Sequence, residues 1–283
     1  MTASTRSWIL TSLAMFAFAG NSILCRLALK ETSIDAGTFT AIRILSGALV
    51  LWLISQWRGR KVRPAGSWRS AVALFIYATA FSFAYVELPA GTGALLLFGA
   101  VQATMISYGL WKGERLSKRQ ICGFILAFGG LVGLVLPGVS APPLLSSSLM
   151  LGSGVAWGIY SLQGRGASDP IRVTAGNFLR AAPFAVALGT AMVPSASLAA
   201  IATGGLWAVA SGTLASGVGY TLWYIALKDR KATSAATVQL SVPVIAAIGG
   251  IIFLGEDLTV RLFIASFAIL GGIALAIREA GTK

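Results

Sequence analysis

Aromatic side chains recur at helical spacing in several apolar stretches of this sequence, often beside a polar residue. The groups are Tyr77, Phe81 and Tyr85; Phe98 with Gln102; Trp157 with Tyr160; and Tyr220 with Trp223 and Tyr224. Residues three or four apart share one face of a helix, so each group presents its rings together. Such rings can bind the apolar part of an organic solute. The alternative is that they form interfacial belts or pack against lipid.

Neutral polar side chains in the same stretches could bind the charged ends of a small solute. Asn21, Gln102, Gln239 and Ser241 are the candidates, and Pro243 leaves a backbone carbonyl without its helical donor. Polar groups inside an apolar span are costly unless they pair or line water. We therefore expect these residues, with the aromatic groups, to line one internal site.

Two arginines, Arg43 and Arg180, also fall inside long apolar stretches, 137 positions apart. One interpretation is that they bind a carboxylate of the solute. The other is that they bind helix ends or carbonyls of a neighbouring segment. Their matched placement, away from the aromatic faces, favours a structural or gating role.

The elements that carry these residues are membrane helices. The chain is 56% hydrophobic and 11% charged, whereas a soluble domain is about 25% charged. Apolar runs of about 17–25 residues, long enough to cross a bilayer, recur ten times. They cover residues 8–29, 36–57, 68–88, 90–110, 120–136, 146–163, 171–193, 204–227, 232–254 and 260–277.

The basic residues predict how the helices are oriented. With the N-terminus in the cytoplasm, 17 of the 22 Lys and Arg residues fall at cytoplasmic loops and ends. This bias predicts cytoplasmic termini and an inner-membrane location. It also explains the net charge of +13 without a nucleic-acid partner.

One phrase occurs twice, as GERLSKRQICGFILAFGG at 113–130 and GEDLTVRLFIASFAILGG at 255–272. Each copy begins in the turn before the last helix of a five-helix group and runs into that helix. Because five is odd, the second group must enter the membrane from the opposite side. The sequence thus predicts an all-α integral membrane protein of two inverted five-helix repeats, 1–137 and 138–283, around a central cavity. Ser117 and Thr259, just after the two Gly-Glu pairs, are expected to cap the helices that follow.

The second copy resembles the drug/metabolite transporter superfamily in its EamA-type ten-helix form. The matching residues are Thr233, Pro243, Gly255, Glu256, Leu258, Gly271 and Gly272, whereas the first copy has Val101 where the second has Pro243. The resemblance covers nearly the whole chain and is closest to bacterial amino acid exporters, those for aromatic amino acids included. It implies a cavity between helices one to four and six to nine, with helices five and ten at the periphery.

These observations predict a transporter that exports amino acids or related metabolites and acts as a monomer in the lipid bilayer. No cofactor or metal is expected, since the chain has no His and no cluster of ligands. No carboxylate lies in the middle of a span, which favours facilitated transport over proton coupling.

Three alternatives stay open. One is a drug or quaternary-cation exporter of the same fold. Another is a lipid-modifying membrane enzyme, although no catalytic motif is visible. The third is a channel, which would need a continuous polar stripe.

Overall fold

The structure is a computed structural model that describes residues 3–58, 65–113, 117–138, 141–164, 167–192, 198–227 and 239–278. This part of the chain is helical and contains ten helices. They are α1 (Ala3–Glu31), α2 (Ala36–Trp57), α3 (Trp68–Ala84), α4 (Ala90–Trp111), α5 (Lys118–Val135), α6 (Leu144–Gly164), α7 (Pro170–Met192), α8 (residues 198–227), α9 (Ser241–Leu254) and α10 (Val260–Arg278). The all-α, ten-helix prediction is confirmed.

α8 changes its winding along its length. It is α-helical over Leu198–Ala210, π-helical over Ser211–Val218 and α-helical again over Gly219–Leu227. The sequence predicts one ordinary span here and gives no sign of the π-helical segment.

Local sequence signals explain where several helices begin and end. Ser117 accepts a hydrogen bond from the Gln120 N–H in a reciprocal capping box, and Thr259 accepts one from the Leu262 N–H, so both predicted caps are confirmed. Gly255 ends α9 in the left-handed region, with φ of +60°. α3 ends at Ala84 rather than near residue 88, and a short turn leads from its C-cap, Tyr85, to Pro89, which precedes α4 as its N-cap.

The outer surface of the bundle suits a lipid environment. Five helices are long and apolar enough to cross a membrane, in α1, α2, α4, α5 and α8, and three more are shorter and apolar. Trp57 is 94% exposed and Trp111 is 80% exposed, both at helix ends where interfacial tryptophans lie. The protein is an integral membrane protein.

The helix contacts come in equivalent pairs, related by a shift of five helices along the chain. The contact of α3 with α6 corresponds to that of α8 with α1, and the contact of α4 with α6 to that of α9 with α1. The contacts of α2 with α7 and of α5 with α10 each correspond to themselves. This is the pattern of two related five-helix units whose interface forms the core. The contacts of α5 are largely with α10, beside the main bundle, where the resemblance placed the fifth and tenth helices.

The repeated Gly-Gly pairs allow α5 and α10 to approach closely. A Cβ on Gly130 would lie 2.8 Å from the Ala268 Cβ, and one on Gly272 would lie 2.4 Å from the Gly123 carbonyl oxygen. Small residues at such contacts let helix backbones meet in a membrane. The second glycine of each repeated pair therefore serves the packing of this peripheral pair of helices, whereas Gly129 and Gly271 face open space.

The bundle has two ends, which we name from α1. The proximal end holds the start of α1, and the distal end holds its last residues, Lys30 and Glu31. The odd-numbered helices run from proximal to distal and the even-numbered ones return.

Candidate functional site

Aromatic rings from both halves of the chain meet in the interior of the bundle. We call them the central cluster; its members are Phe18, Tyr77, Phe81, Trp157, Tyr160, Phe178, Tyr220 and Trp223. Trp157 is at its middle, with ring centroids 4.8 Å from Tyr77 and 4.8 Å from Tyr220. Every member is at most 7% exposed. Burial to this degree rules out the alternative that these rings face lipid.

Sequence analysis missed two members of the cluster. The ring of Phe18, from α1, packs edge-on against Trp157, Tyr220 and Trp223. The ring of Phe178, from α7, lies 6.0 Å from Tyr220. Phe18 lies three residues before Asn21, so helical spacing from the predicted polar residue was the signal that could have identified it.

A chain of hydrogen bonds crosses the cluster. The Asn21 Nδ2 donates to the Tyr77 hydroxyl at 3.2 Å, and the Ser211 Oγ donates to the Asn21 Oδ1 at 2.6 Å. The Arg43 Nη2 donates to the same Tyr77 hydroxyl at 3.0 Å, and its Nε donates to the Ser216 Oγ at 3.4 Å. These bonds join α1, α2, α3 and α8 through buried polar atoms.

The π-helical segment explains how one helix supplies both serines. Residues five apart are about 140° apart around an α-helix. In a π-helix the hydrogen bonds join residues five apart, which brings such residues close to one face. Ser211 and Ser216 therefore both reach the central cluster.

Arg43 lies inside the aromatic surface, so the expectation that it lies away from the aromatic faces is wrong. Its guanidinium carbon is 4.8 Å from the Phe81 ring centroid and 5.2 Å from that of Tyr77. Arg180 differs, because its Nη1 donates to the Gly176 carbonyl at 3.0 Å within its own helix and the residue is only half-buried. The matched sequence positions are not equivalent in their surroundings.

Other predicted residues lie at the edge of the cluster or outside it. The Tyr85 ring, 4.7 Å from Phe81, extends the cluster toward the distal end, where the Tyr85 hydroxyl donates to the Ala90 carbonyl. Gln102 lines a pocket between α4, α5 and α10 instead of the centre. Phe98 is buried in the core, apart from the ring pairs that define the cluster.

The predicted polar group on α9 is only partly described. Gln239 and Pro243 are buried, Ser241 is half-buried, and all three lie at the start of the helix. The side chain of Tyr224 lies outside the described residues. A binding role for Gln239, Ser241 and Tyr224 and a structural or gating role for Pro243 stay predictions.

The distal end is closed by what we call the distal latch, the contact of Arg26 with Glu256. The Arg26 Nε lies 3.3 Å from the Glu256 Oε1, and its Nη1 donates to the carbonyls of Tyr85 and Val86 at 3.0 and 2.6 Å. The Glu256 Oε2 accepts the Ala90 N–H at 2.7 Å. The latch therefore ties α1, the turn after α3, the start of α4 and the turn after α9 together.

Glu87, in the turn after α3, lies at the same end but does not pair with Arg26. Glu87 instead accepts a hydrogen bond from the Ser146 hydroxyl, at the start of α6. Glu256 is the residue that pairs with Arg26, 230 positions away in the sequence. The repeated Gly-Glu turn therefore both ends α9 and joins it to α1.

Helices also contact each other at the proximal end. The Ser70 Oγ donates to the Gln163 Oε1 at 2.7 Å, which joins the start of α3 to the end of α6. The chain before α3 lies so close to α7 that a Cβ on Gly176 would be 1.6 Å from the Ala65 carbonyl oxygen. The central cluster thus lies between the distal latch and these proximal contacts.

The comparisons with known proteins agree with this architecture. The model of the EamA-like transporter family matches the chain twice, at residues 6–136 and 144–278. An uncharacterised protein of Pseudomonas aeruginosa is 57% identical over 95% of this chain and 94% of its own. The threonine/homoserine exporter RhtA of Escherichia coli is 28% identical over 87% of this chain and 84% of its own.

A solved crystal structure also has this fold, with a TM-score of 0.68, 18% identity and coverage of 99% of this chain and 100% of its own. The names of the family and its relatives indicate transporters rather than enzymes. The two family matches together cover nearly all of the described helices, and the contact pattern repeats between them. This chain is a membrane transporter that belongs to the EamA-like transporter family.

Proposed function

We propose that this transporter exports amino acids, chiefly aromatic and other neutral ones, or closely related metabolites, by alternating access. The observation that carries the proposal is the buried central cluster. Its rings come from α1 and α3 on one side and from α6, α7 and α8 on the other. A site shared by two related units can open to either side when one unit moves against the other. We place the units at residues 1–137 and 138–283, in inverted orientation.

The chemistry of the cluster suits an amino acid. The rings offer an apolar surface for a side chain, while Asn21, Ser211 and the Tyr77 hydroxyl offer neutral hydrogen-bonding groups for the polar ends. In the present conformation these groups bind each other, so a substrate has to exchange with those contacts. The printed name of RhtA, an exporter of threonine and homoserine, supports the same substrate class.

Transport without proton coupling is supported by the positions of the acidic residues. The carboxylates in the described residues are Glu31, Asp35, Glu87, Asp169, Glu256 and Asp257, and all lie at helix ends or in turns. Coupled transporters carry protons on ionisable groups at depth. We infer that substrate moves down its own gradient or by exchange.

The topology follows from the basic residues. We propose that the proximal end, where α1 begins and α10 ends, faces the cytoplasm and that the protein is in the bacterial inner membrane. A monomer contains the whole cluster, so we propose the monomer as the functional unit.

The test is uptake into liposomes that contain the purified protein. Labelled phenylalanine, labelled threonine and a labelled quaternary cation are compared, each with and without a pH gradient. We expect saturable uptake of the amino acids in both conditions. Uptake of the cation alone would refute the substrate assignment, and uptake of amino acids only with a pH gradient would refute facilitated transport.

The quaternary cation is included because an aromatic surface can also bind cations. Arg43 speaks against that cargo, since its guanidinium already occupies the faces of Tyr77 and Phe81 and would repel a second positive charge.

A further inference from the structure

The guanidinium of Arg43 is a buried cation with unused donor capacity. The residue is 2% exposed, and its Nη1 has no hydrogen-bond partner. The Nε and Nη2 are held by Ser216 and Tyr77, and the plane lies over two aromatic rings. The group is therefore fixed in position while one nitrogen is left free.

No carboxylate in the described part of the chain neutralises this charge. Arg26 pairs with Glu256 and Lys30 with Glu31, both at the distal end and away from Arg43. An isolated charge within a membrane span is costly unless it pairs or faces water. An arginine that only stabilised the fold would be expected to have its donors satisfied by the protein.

Arg180, at the matched sequence position, differs at this nitrogen. Its Nη1 donates to a carbonyl of its own helix, and the side chain is half-buried. The Nη1 of Arg43 is instead buried without a partner. The difference indicates a task for Arg43 at the centre.

We propose that Arg43 binds the carboxylate of the transported amino acid and that this contact selects carboxylate-bearing solutes over their amides and amines. The proposal rests on the function proposed above and names the group that reads the substrate. A planar guanidinium presents donors in a fork that matches a carboxylate. The free Nη1, together with the Nη2 once it leaves the Tyr77 hydroxyl, supplies that pair of donors.

The surroundings of Arg43 prepare it for this contact. Ser216 holds the Nε from the π-helical segment, and the rings of Tyr77 and Phe81 fix the plane of the guanidinium. A carboxylate bound at the Nη1 would lie beside the central cluster, whose rings then contact the side chain of the same molecule. One site would thus bind the acid group and the apolar group together.

The first experiment uses the unmodified protein in liposomes. Uptake of labelled phenylalanine is measured against unlabelled phenylalanine, phenylalaninamide or 2-phenylethylamine, which share the ring but differ in the acid group. We expect the amide and the amine to compete about 10- to 100-fold more weakly than the acid, as the loss of a charge-assisted hydrogen bond implies. Equal competition by all three would overturn the proposal while leaving amino acid transport intact.

The second experiment changes the arginine. In Arg43→Gln, the difference in competition strength between phenylalanine and phenylalaninamide should fall to about twofold or less. Arg43→Lys keeps the charge but loses the forked pair of donors, so it should retain part of the preference for the acid. The matched control is Arg261→Gln, because Arg261 bonds carbonyls at the end of α5 outside the central cluster. The control should keep the full preference.

The outcomes separate the two proposals. Full preference for the acid in Arg43→Gln would place the carboxylate elsewhere and overturn the role of Arg43. If that variant does not fold, the competition series in the unmodified protein still decides whether the transporter recognises a carboxylate. Uptake of a quaternary cation with none of phenylalanine or threonine would overturn both proposals.

Discussion

The distal latch should control how often the distal end opens. Glu256 accepts two hydrogen bonds, one from Arg26 and one from the Ala90 N–H. The substitution Glu256→Gln makes the acceptor of both hydrogen bonds neutral. It also turns an NH2 group, which is a donor, toward either Arg26 or the Ala90 N–H. Hydrogen bonds to a charged group contribute about 1.5–3 kcal/mol and neutral ones about 0.5–1.5 kcal/mol, so the closed state should lose about 3 kcal/mol.

Solvent screening reduces this value only a little. The Arg26 and Glu256 side chains are 13% and 10% exposed, so the pair differs from an exposed salt bridge. If the loss falls only on the conformation in which the distal end is closed, the open population should rise about 100-fold, at about 1.4 kcal/mol for each factor of ten.

A native thiol reports this opening. Cys25 precedes Arg26 and is fully buried, while Cys122, on α5, is exposed and is first removed as Cys122→Ser. Alkylation of Cys25 by a water-soluble maleimide should follow the population of the open state. We expect the rate in Glu256→Gln to exceed that of the parent about 100-fold, by the free energy given above.

The control is Glu31→Gln at the same end. Glu31 pairs with Lys30 at 3.7 Å in an exposed contact, and such pairs contribute about 0–1 kcal/mol. In the Glu31→Gln protein, the alkylation rate of Cys25 should stay within about fivefold of the rate in the parent. A Glu256→Gln protein that melts at a lower temperature but alkylates at the parent rate would show that the latch stabilises every conformation alike, and would refute its role as a gate.

Three further changes test the packing. Gly176→Ala should greatly reduce monodisperse protein on size exclusion, because its Cβ would meet the Ala65 carbonyl, whereas Gly152→Ala, with no atom within 4 Å of its Cβ, should behave as the parent. Trp157→Ala should lower the free energy of unfolding by about 3–5 kcal/mol in denaturant titration, since it leaves a cavity among four rings. Ser117→Ala should lower it by about 1 kcal/mol through the lost cap of peripheral α5, with uptake per folded molecule unchanged; altered uptake would refute that peripheral role.

The number and approximate bounds of the helices could be predicted from sequence because a bilayer imposes a length on every apolar run. The repeat was also visible, since the duplicated Gly-Glu and Gly-Gly pairs lie at matching places. Caps such as Ser117 followed from local chemistry that needs no knowledge of the fold.

Which side of each helix faces the core could not be predicted as well. α2 and α4 carry apolar residues all around, because one side meets lipid and the other meets the core, so hydrophobic periodicity does not report their rotation. That is why Arg43 was placed away from the rings and Gln102 toward the centre. The pairing of Arg26 with Glu256 joins residues 230 positions apart and depends on how the two units pack.

The π-helical segment of α8 has a consequence for how the chain tolerates a change in length. A π-helical turn holds more residues than an α-helical turn, so the segment absorbs an extra residue without turning the helix beyond it. Deleting one residue between Ser211 and Ser216 would let the segment wind as an α-helix, while Tyr220 and Trp223 stay close to their places in the central cluster. The two serines would then be four positions apart and would still share one face. This segment is therefore the part of α8 where the chain can lose a residue and keep the rings of the site in register.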